Sequence, residues 1–190
     1  MSKRTIDNKQ SKLFDGAKLH EIAIQQSPME AILSLNREYE RVYGNINDAR
    51  KKPADGWSVA IDNGGSNGEA EYRLGDIFDG GEVVACDEEK ARYWYVKAAE
   101  NGHPWAQFLL GTFYEEGEGV ERDIEKAVCW FAKSAEQGNV FSSEKLGLMY
   151  QLGDGVDQDD KKAIYWYEKA AEQGSKTAKT MLKMIKSLCK

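Results

Sequence analysis

Three cysteines in 190 residues, Cys86, Cys129 and Cys189, are too few and too scattered for a disulfide framework or a zinc-ligand spacing. Buried structural thiols in a reducing cytoplasm are therefore expected. The two histidines, His20 and His103, lie far apart in the chain, so neither a metal nor a catalytic role is expected of them. No glycine-rich phosphate motif with its lysine is present, and no cofactor is expected. No apolar run approaches the roughly 18 residues of a membrane span. The opening stretch, MSKRTIDNKQSKLFDG, carries positive charge but no apolar core, so no signal peptide is visible and the cytoplasm is the expected location. An excess of basic charge is also missing. The net charge is −6, which argues against general nucleic-acid binding, since that needs a basic face.

What is present is enough apolar matter for a core. Hydrophobic residues make up 41% of the chain, which excludes wholesale disorder. The charge is unevenly placed. Residues 70–177 hold 22 acidic and 12 basic side chains, the first 69 residues balance, and residues 178–190 add Lys179, Lys183, Lys186 and Lys190 with no acid. Such an acidic body favours a basic protein partner and speeds its encounter at low salt.

One interval dominates. Trp94, Trp130 and Trp166 are spaced by 36, as are Gly75, Gly111 and Gly147, then Gly102, Gly138 and Gly174, and Leu74, Leu110 and Leu146. A fixed period in this range is the mark of stacked supersecondary units, hence an all-α solenoid of helix–turn–helix repeats. Solenoids offer extended surfaces and act mostly by binding other proteins. In one unit, Ala106, Leu110, Phe113 and Tyr114 give the first helix its apolar face. Gly111 inside it costs about 1 kcal/mol against alanine, a cost that makes sense if another helix packs on that spot. A glycine-rich turn, 116–120, follows. Asp123 then stands where its carboxylate can cap the second helix, as do Asp87 and Asp159 in their units. That helix stops at Gly138, a left-handed cap. The three tryptophans and their neighbours Tyr95, Phe131 and Tyr167 are expected in the core, filling the space between units.

The full repeats are thus 70–105, 106–141 and 142–177, with 178–190 as a capping helix whose lysines suit its C-terminal end. A degenerate repeat is expected over 30–69, where Ala31, Leu35, Asn36 and Tyr39, then Ala54, Trp57 and Gly65, follow the same pattern. Pro53 suits the first turn of its second helix. The run 63–68 reads as a flexible joint. Residues 1–29 are read as an N-terminal tail, disordered over 1–15, with a short helix over 16–26.

The recurring string Ala-x-x-x-Leu-Gly-x-x-Tyr, then Gly-x-Gly-Val, then Asp-x-x-Lys-Ala-x-x-Trp-Phe/Tyr-x-Lys-x-Ala-x-x-Gly resembles the Sel-like repeat family, a relative of tetratricopeptide arrays. The match is close over 70–177 and loose over 30–69. Departures are the blurred loop at Gly80-Gly81-Glu82-Val83, Ser142 in place of the opening alanine, and Glu144 in place of an aromatic. The resemblance implies a right-handed α/α superhelix with adaptor, signalling or bacterial host-interaction roles rather than catalysis. It also admits an immunity protein that neutralises a basic bacterial toxin by direct binding. A few members of the family have been linked to β-lactam binding.

A hydrolase of the β-lactam type is the rival reading from another class. Ser142-Ser143-Glu144-Lys145 matches the S-x-x-K nucleophile string, but no Ser-Asp-Asn or Lys-Thr-Gly accompanies it, and serines at a helix start explain it better. Asp154, Asp157, Asp159 and Asp160 lack the ligand spacing and closing glutamate of a calcium loop and read as a solvated turn. Binding residues are sought where the units differ on the first helix, the one that lines the concave face in related arrays. Removing core positions leaves Glu69, Tyr72, Asp76 and Asp79 in one unit. The next two give Trp105, Phe108, Thr112 and Glu115, then Phe141, Glu144, Leu148 and Gln151. Trp105 and Phe141 share one register and are off-pattern for the family. Tyr72, Trp105, Phe108 and Phe141 are the expected anchors for a peptide or basic protein surface, with Asp76, Asp79, Glu115 and Glu144 supplying charge.

Overall fold

The computed structural model describes residues 15–43, 68–80 and 84–188. Pro53, Ala54, Trp57, Gly65 and most of the 63–68 joint lie outside the described residues, as do 1–14, the loop at 81–83 and Cys189. Every described element is helical, and two compact units divide the chain at Asn101.

The N-terminal unit holds α1 (Gly16–Gln25), α2 (Pro28–Tyr43), α3 (Glu69–Gly80) and α4 (Glu88–Glu100). Asp15 starts α1, its carboxylate accepting from the Ala17 and Lys18 amides. Ser27 accepts from the Glu30 amide at 3.0 Å, just ahead of Pro28 at the first position of α2. Leu19 and Ala23, then Ala31 and Leu35, are buried one turn apart, so each helix hides one stripe.

The C-terminal unit holds α5 (Pro104–Glu116), α6 (Ile124–Glu136), α7 (Val140–Leu152), α8 (Asp160–Glu172) and α9 (Lys176–Leu188). Asp87, Asp123 and Asp159 cap α4, α6 and α8 as their register implies. Gly138, at φ 92°, takes the left-handed conformation just past α6. The turns also repeat. Arg122 Nε donates to the Glu115 carbonyl at 2.9 Å, and Gln158, in the same register, donates to the Gln151 carbonyl at 3.0 Å.

The glycine inside each first helix is a seat for a ring of the second. A methyl group at Gly75 would lie 2.4 Å from the Tyr95 ring, at Gly111 2.6 Å from Phe131, and at Gly147 2.6 Å from Tyr167. All three rings are buried. The tyrosine hydroxyls need partners and find them on the facing helix: Tyr95 donates to Asp76 at 3.1 Å and Tyr167 to Gln151 at 3.0 Å. The tryptophans behave less uniformly than their register suggests. Trp94 is buried, whereas Trp130 and Trp166 are only half-buried, and Lys133 stands 3.9 Å above the Trp130 ring. The residue after the tryptophan is buried in all three repeats, the tryptophan itself only in the first.

The expectation of buried thiols is overturned for the described cysteines: Cys86 and Cys129 are both exposed and free. Cys129 shares the register of Tyr93 and Tyr165, an outward position of the second helix, and both of those rings are exposed too.

Trp94 owes its burial to α1. Its indole N–H donates to His20 Nδ1 at 3.0 Å, and the imidazole meets Phe78, Tyr93 and Trp94 edge to face. The accepted hydrogen bond requires Nδ1 to be unprotonated. Burial lowers the His20 pKa below 6.5, nearby Lys90 lowers it further, and Asp87 opposes with a smaller effect. Because the unfolded chain takes up the proton first, this contribution is complete above about pH 6.5 and is lost as pH falls through the lowered folded value. The urea midpoint of the wild-type protein should therefore drop between pH 7.5 and 5.5 by more than that of His20→Asn, whose amide oxygen can still accept from Trp94. Equal drops would remove His20 as the source.

Candidate functional site

In the C-terminal unit α5, α7 and α9 build an open apolar surface. His103 caps α5, its Nδ1 accepting from the Ala106 amide at 3.3 Å, and Pro104 opens the helix. Asn139 caps α7 by accepting from the Ser142 amide at 3.0 Å. Both caps leave an aromatic residue at the second helical position, Trp105 in α5 and Phe141 in α7. There the side chains project out of the first turn rather than into the core. Trp105 remains 45% exposed and Phe141 53%. Their rings nonetheless meet, with centroids 5.4 Å apart, and Phe108 joins both at 6.0 and 6.2 Å. The off-pattern aromatics thus form one contiguous, half-exposed patch. Exposed apolar clusters of this kind mark interaction sites.

Beside the patch runs a groove of about 360 Å³ lined by Phe108, Phe141, Leu148, Tyr167, Thr177 and Met181, with Thr112, Glu144 and Lys145 at its polar positions. Leu148 is 38% exposed although it belongs to a helix with a buried face. Thr112 lines the groove and turns its hydroxyl back to the Phe108 carbonyl at 3.2 Å. Lys145 pairs with Glu115 across α5 and α7 at 2.9 Å. Glu144 accepts from the Ser175 hydroxyl, which itself accepts from the Ala178 amide at the start of α9.

Of the sequence-derived candidates, Trp105, Phe108, Thr112, Glu115, Phe141, Glu144 and Leu148 come together here. Tyr72, Asp76 and Asp79 form a separate cluster in the N-terminal unit. Asp76 accepts from Tyr95 and from Arg73, whose guanidinium also bonds Glu69 at 2.7 Å and lies over the Tyr72 ring. Burial raises the Asp76 pKa, opposed by those two donors. Burial, then the Asp76 charge, pushes Tyr72 up to about 12. Asp76 is thus occupied within the fold rather than held out for a ligand. Tyr167, Thr177, Met181 and Lys145 were missed. Thr177 has the register of Trp105 and Phe141, so one further step of 36 would have found it. Tyr167 and Met181 carry core-like signals and gave no cue.

The S-x-x-K string has other partners. Ser142 is fully buried inside α7 and donates to Ser134 at 2.8 Å, while Lys145 is paired with Glu115. The helix is capped by Asn139 and not by either serine. Among the described residues no group of histidine, cysteine or carboxylate side chains could hold a metal ion, and no helix is long and apolar enough to cross a membrane.

Comparison with known proteins places these observations. The Sel1 repeat pattern matches residues 68–103, 106–139 and 142–175. A Sel1 repeat protein from Oxalobacter formigenes is similar in structure, with 34% identity and a TM-score of 0.60 over 66% of this chain and 93% of that one. A protective antigen of uropathogenic Escherichia coli strains with an SLR fold shares 37% identity and a TM-score of 0.58. The match covers 87% of this chain but only 34% of that longer one. Cysteine rich protein B of Helicobacter pylori is similar at 26% identity and a TM-score of 0.52, covering 66% of this chain and 93% of its own length. No curated protein matches the chain significantly. With three repeats in register and the ring-on-glycine packing of each, the chain belongs to the Sel1 repeat family of α-helical solenoids, a typically non-catalytic fold that generally mediates protein–protein interaction.

Proposed function

We propose that the C-terminal unit captures a segment of another protein. An apolar side chain of that segment enters the groove between α5, α7 and α9, and the Trp105–Phe108–Phe141 patch covers it. The observation that carries this reading is the pair of large exposed rings, Trp105 and Phe141, placed in contact beside an open apolar groove. Their position costs solvation and gives the core little, which is the usual signature of binding anchors. The setting we propose is the cytoplasm, where the exposed thiols of Cys86 and Cys129 stay reduced.

The test uses wild-type protein, Trp105→Ala and Phe141→Ala as parallel baits in lysate of the native cell, with quantitative mass spectrometry. A stoichiometric protein should be retained by the wild type, and its affinity should fall at least about tenfold in each variant. Circular dichroism should not change, because both side chains are largely outside the core. Equal retention by all three baits would move the function off this groove.

A further inference from the structure

Resting on that reading, we propose that the groove selects a linear protein segment in which a bulky apolar residue is accompanied by a lysine or arginine, and that Glu144 alone reads this cation. Two charged side chains line the groove, Glu144 and Lys145, and a third, Glu115, stands beside Lys145. Two of the three cancel. Lys145 and Glu115 pair at 2.9 Å, with the glutamate side chain only 18% exposed, so neither charge is available to a partner without breaking a partly buried ion pair. Glu144 differs. Its hydrogen-bond donor is the neutral Ser175 hydroxyl, and among the described residues no lysine, arginine or histidine forms an ion pair with it. One negative charge is left over at the groove.

That charge is also held in place. The Ser175 hydroxyl accepts from the Ala178 amide as the cap of α9, which turns its proton toward the carboxylate. The field of Glu144 reaches the floor of the groove, where it adds to burial in raising the pKa of Tyr167. An oriented carboxylate beside an apolar floor interacts with a cation more strongly than a solvated one does. An acidic segment would meet Glu144 as a like charge and find Lys145 already neutralised. Apolar floor, aromatic lip and single fixed carboxylate together fit an apolar residue followed or preceded by a basic one.

A phage-displayed library of random dodecapeptides, selected on the full chain, tests this directly. The wild type should enrich peptides that combine Leu, Ile, Met, Phe or Trp with Lys or Arg at a fixed short spacing. Enrichment should vanish on Phe141→Ala and Leu148→Arg, which alter exposed side chains and leave the core intact. On a synthetic copy of the enriched peptide, Glu144→Gln should weaken binding about threefold to tenfold. Selection on Glu144→Lys should invert the preference to Asp or Glu. An apolar motif with no charge preference, or one that Glu144→Lys leaves unchanged, overturns the charge reading while the groove stands. A selection in which no peptide depends on Phe141 or Leu148 overturns both. A wild-type dimer that Leu148→Arg dissociates, measured by light scattering, makes a second copy of this chain the occupant and also overturns the proposal.

Discussion

Replacing Phe131 by alanine should lower the stability of the C-terminal unit by about 3–5 kcal/mol, the range for deleting a fully buried aromatic ring. Phe131 anchors a cluster with Ala127, Ala135, Leu146 and Met149, and Phe108, Tyr114 and Trp166 lean on it from the edges. The more telling result concerns Gly111, whose substitution should change sign with the ring present or absent. In the wild type, Gly111→Ala places a methyl 2.6 Å from two atoms of a ring that cannot swing away. Overpacking of that kind costs about 1–3 kcal/mol, which outweighs the roughly 1 kcal/mol that alanine gains over glycine in a helix. In a Phe131→Ala background the clash is gone and only the helix gain remains, so Gly111→Ala should then stabilise. Phe131→Leu serves as a milder background if the alanine variant unfolds. The two urea-denaturation differences decide it. A destabilising Gly111→Ala in both backgrounds would mean that the glycine serves something other than the ring.

The same pair of residues illustrates what the sequence made legible. The period of 36 exposes Gly111 as an apparent flaw in a helix, and only close approach of another group makes that flaw useful. The glycine therefore announced a neighbour, although not which one. Tyr95, Phe131 and Tyr167 and the three tryptophans recur equally well, and periodicity cannot rank them. The ranking depends on which of two adjacent positions faces the seat, about 100° apart on a helix. The caps at Asp87, Asp123 and Asp159 were fully readable because capping is a local matter of one side chain and one or two amides.

The candidate site was legible in a different way. Subtracting the repeated positions isolates what the fold does not require, and Trp105, Phe108, Phe141 and Leu148 emerge from that subtraction. Two things escape it. Tyr167 and Met181 serve the core and line the groove with the same side chains, so subtraction removes Tyr167 with the core and finds no reason to add Met181. Charge availability also escapes. Glu115 and Glu144 look alike in the sequence, but one is neutralised by Lys145 while the other meets only a hydroxyl and keeps its charge, and Asp76 is held by Tyr95 and Arg73. Pairing between helices is a property of three-dimensional register that a count of acids does not contain.

Ser134→Ala should destabilise the protein by about 1–3 kcal/mol, and adding Ser142→Ala should restore most of the loss. Both serines are fully buried. The Ser142 hydroxyl donates to Ser134 at 2.8 Å, and Ser134 passes its own proton to the Pro104 carbonyl at 2.7 Å. Removing Ser134 strands the Ser142 donor in an apolar layer, where an unmet hydrogen bond carries the desolvation penalty in full. Removing Ser142 alone is milder, because Ser134 keeps its acceptor. With both replaced, no side-chain polar group is left unmet, and the layer becomes the alanine pair that the next repeat already uses: Ala170 and Ala178 stand one period after Ser134 and Ser142 and are equally buried. The prediction is thus an order of stabilities, with the wild type and the double variant above Ser142→Ala and Ser134→Ala lowest, read from urea midpoints. Additive losses would show that the serines act independently. The pair also bears on the rival chemistry. Each departure from alanine looks isolated in the sequence, and Ser142 beside Lys145 then resembles a nucleophile string. Only in the folded unit does its hydroxyl have a partner one helix away, which makes the same serine half of a compensated substitution in the core.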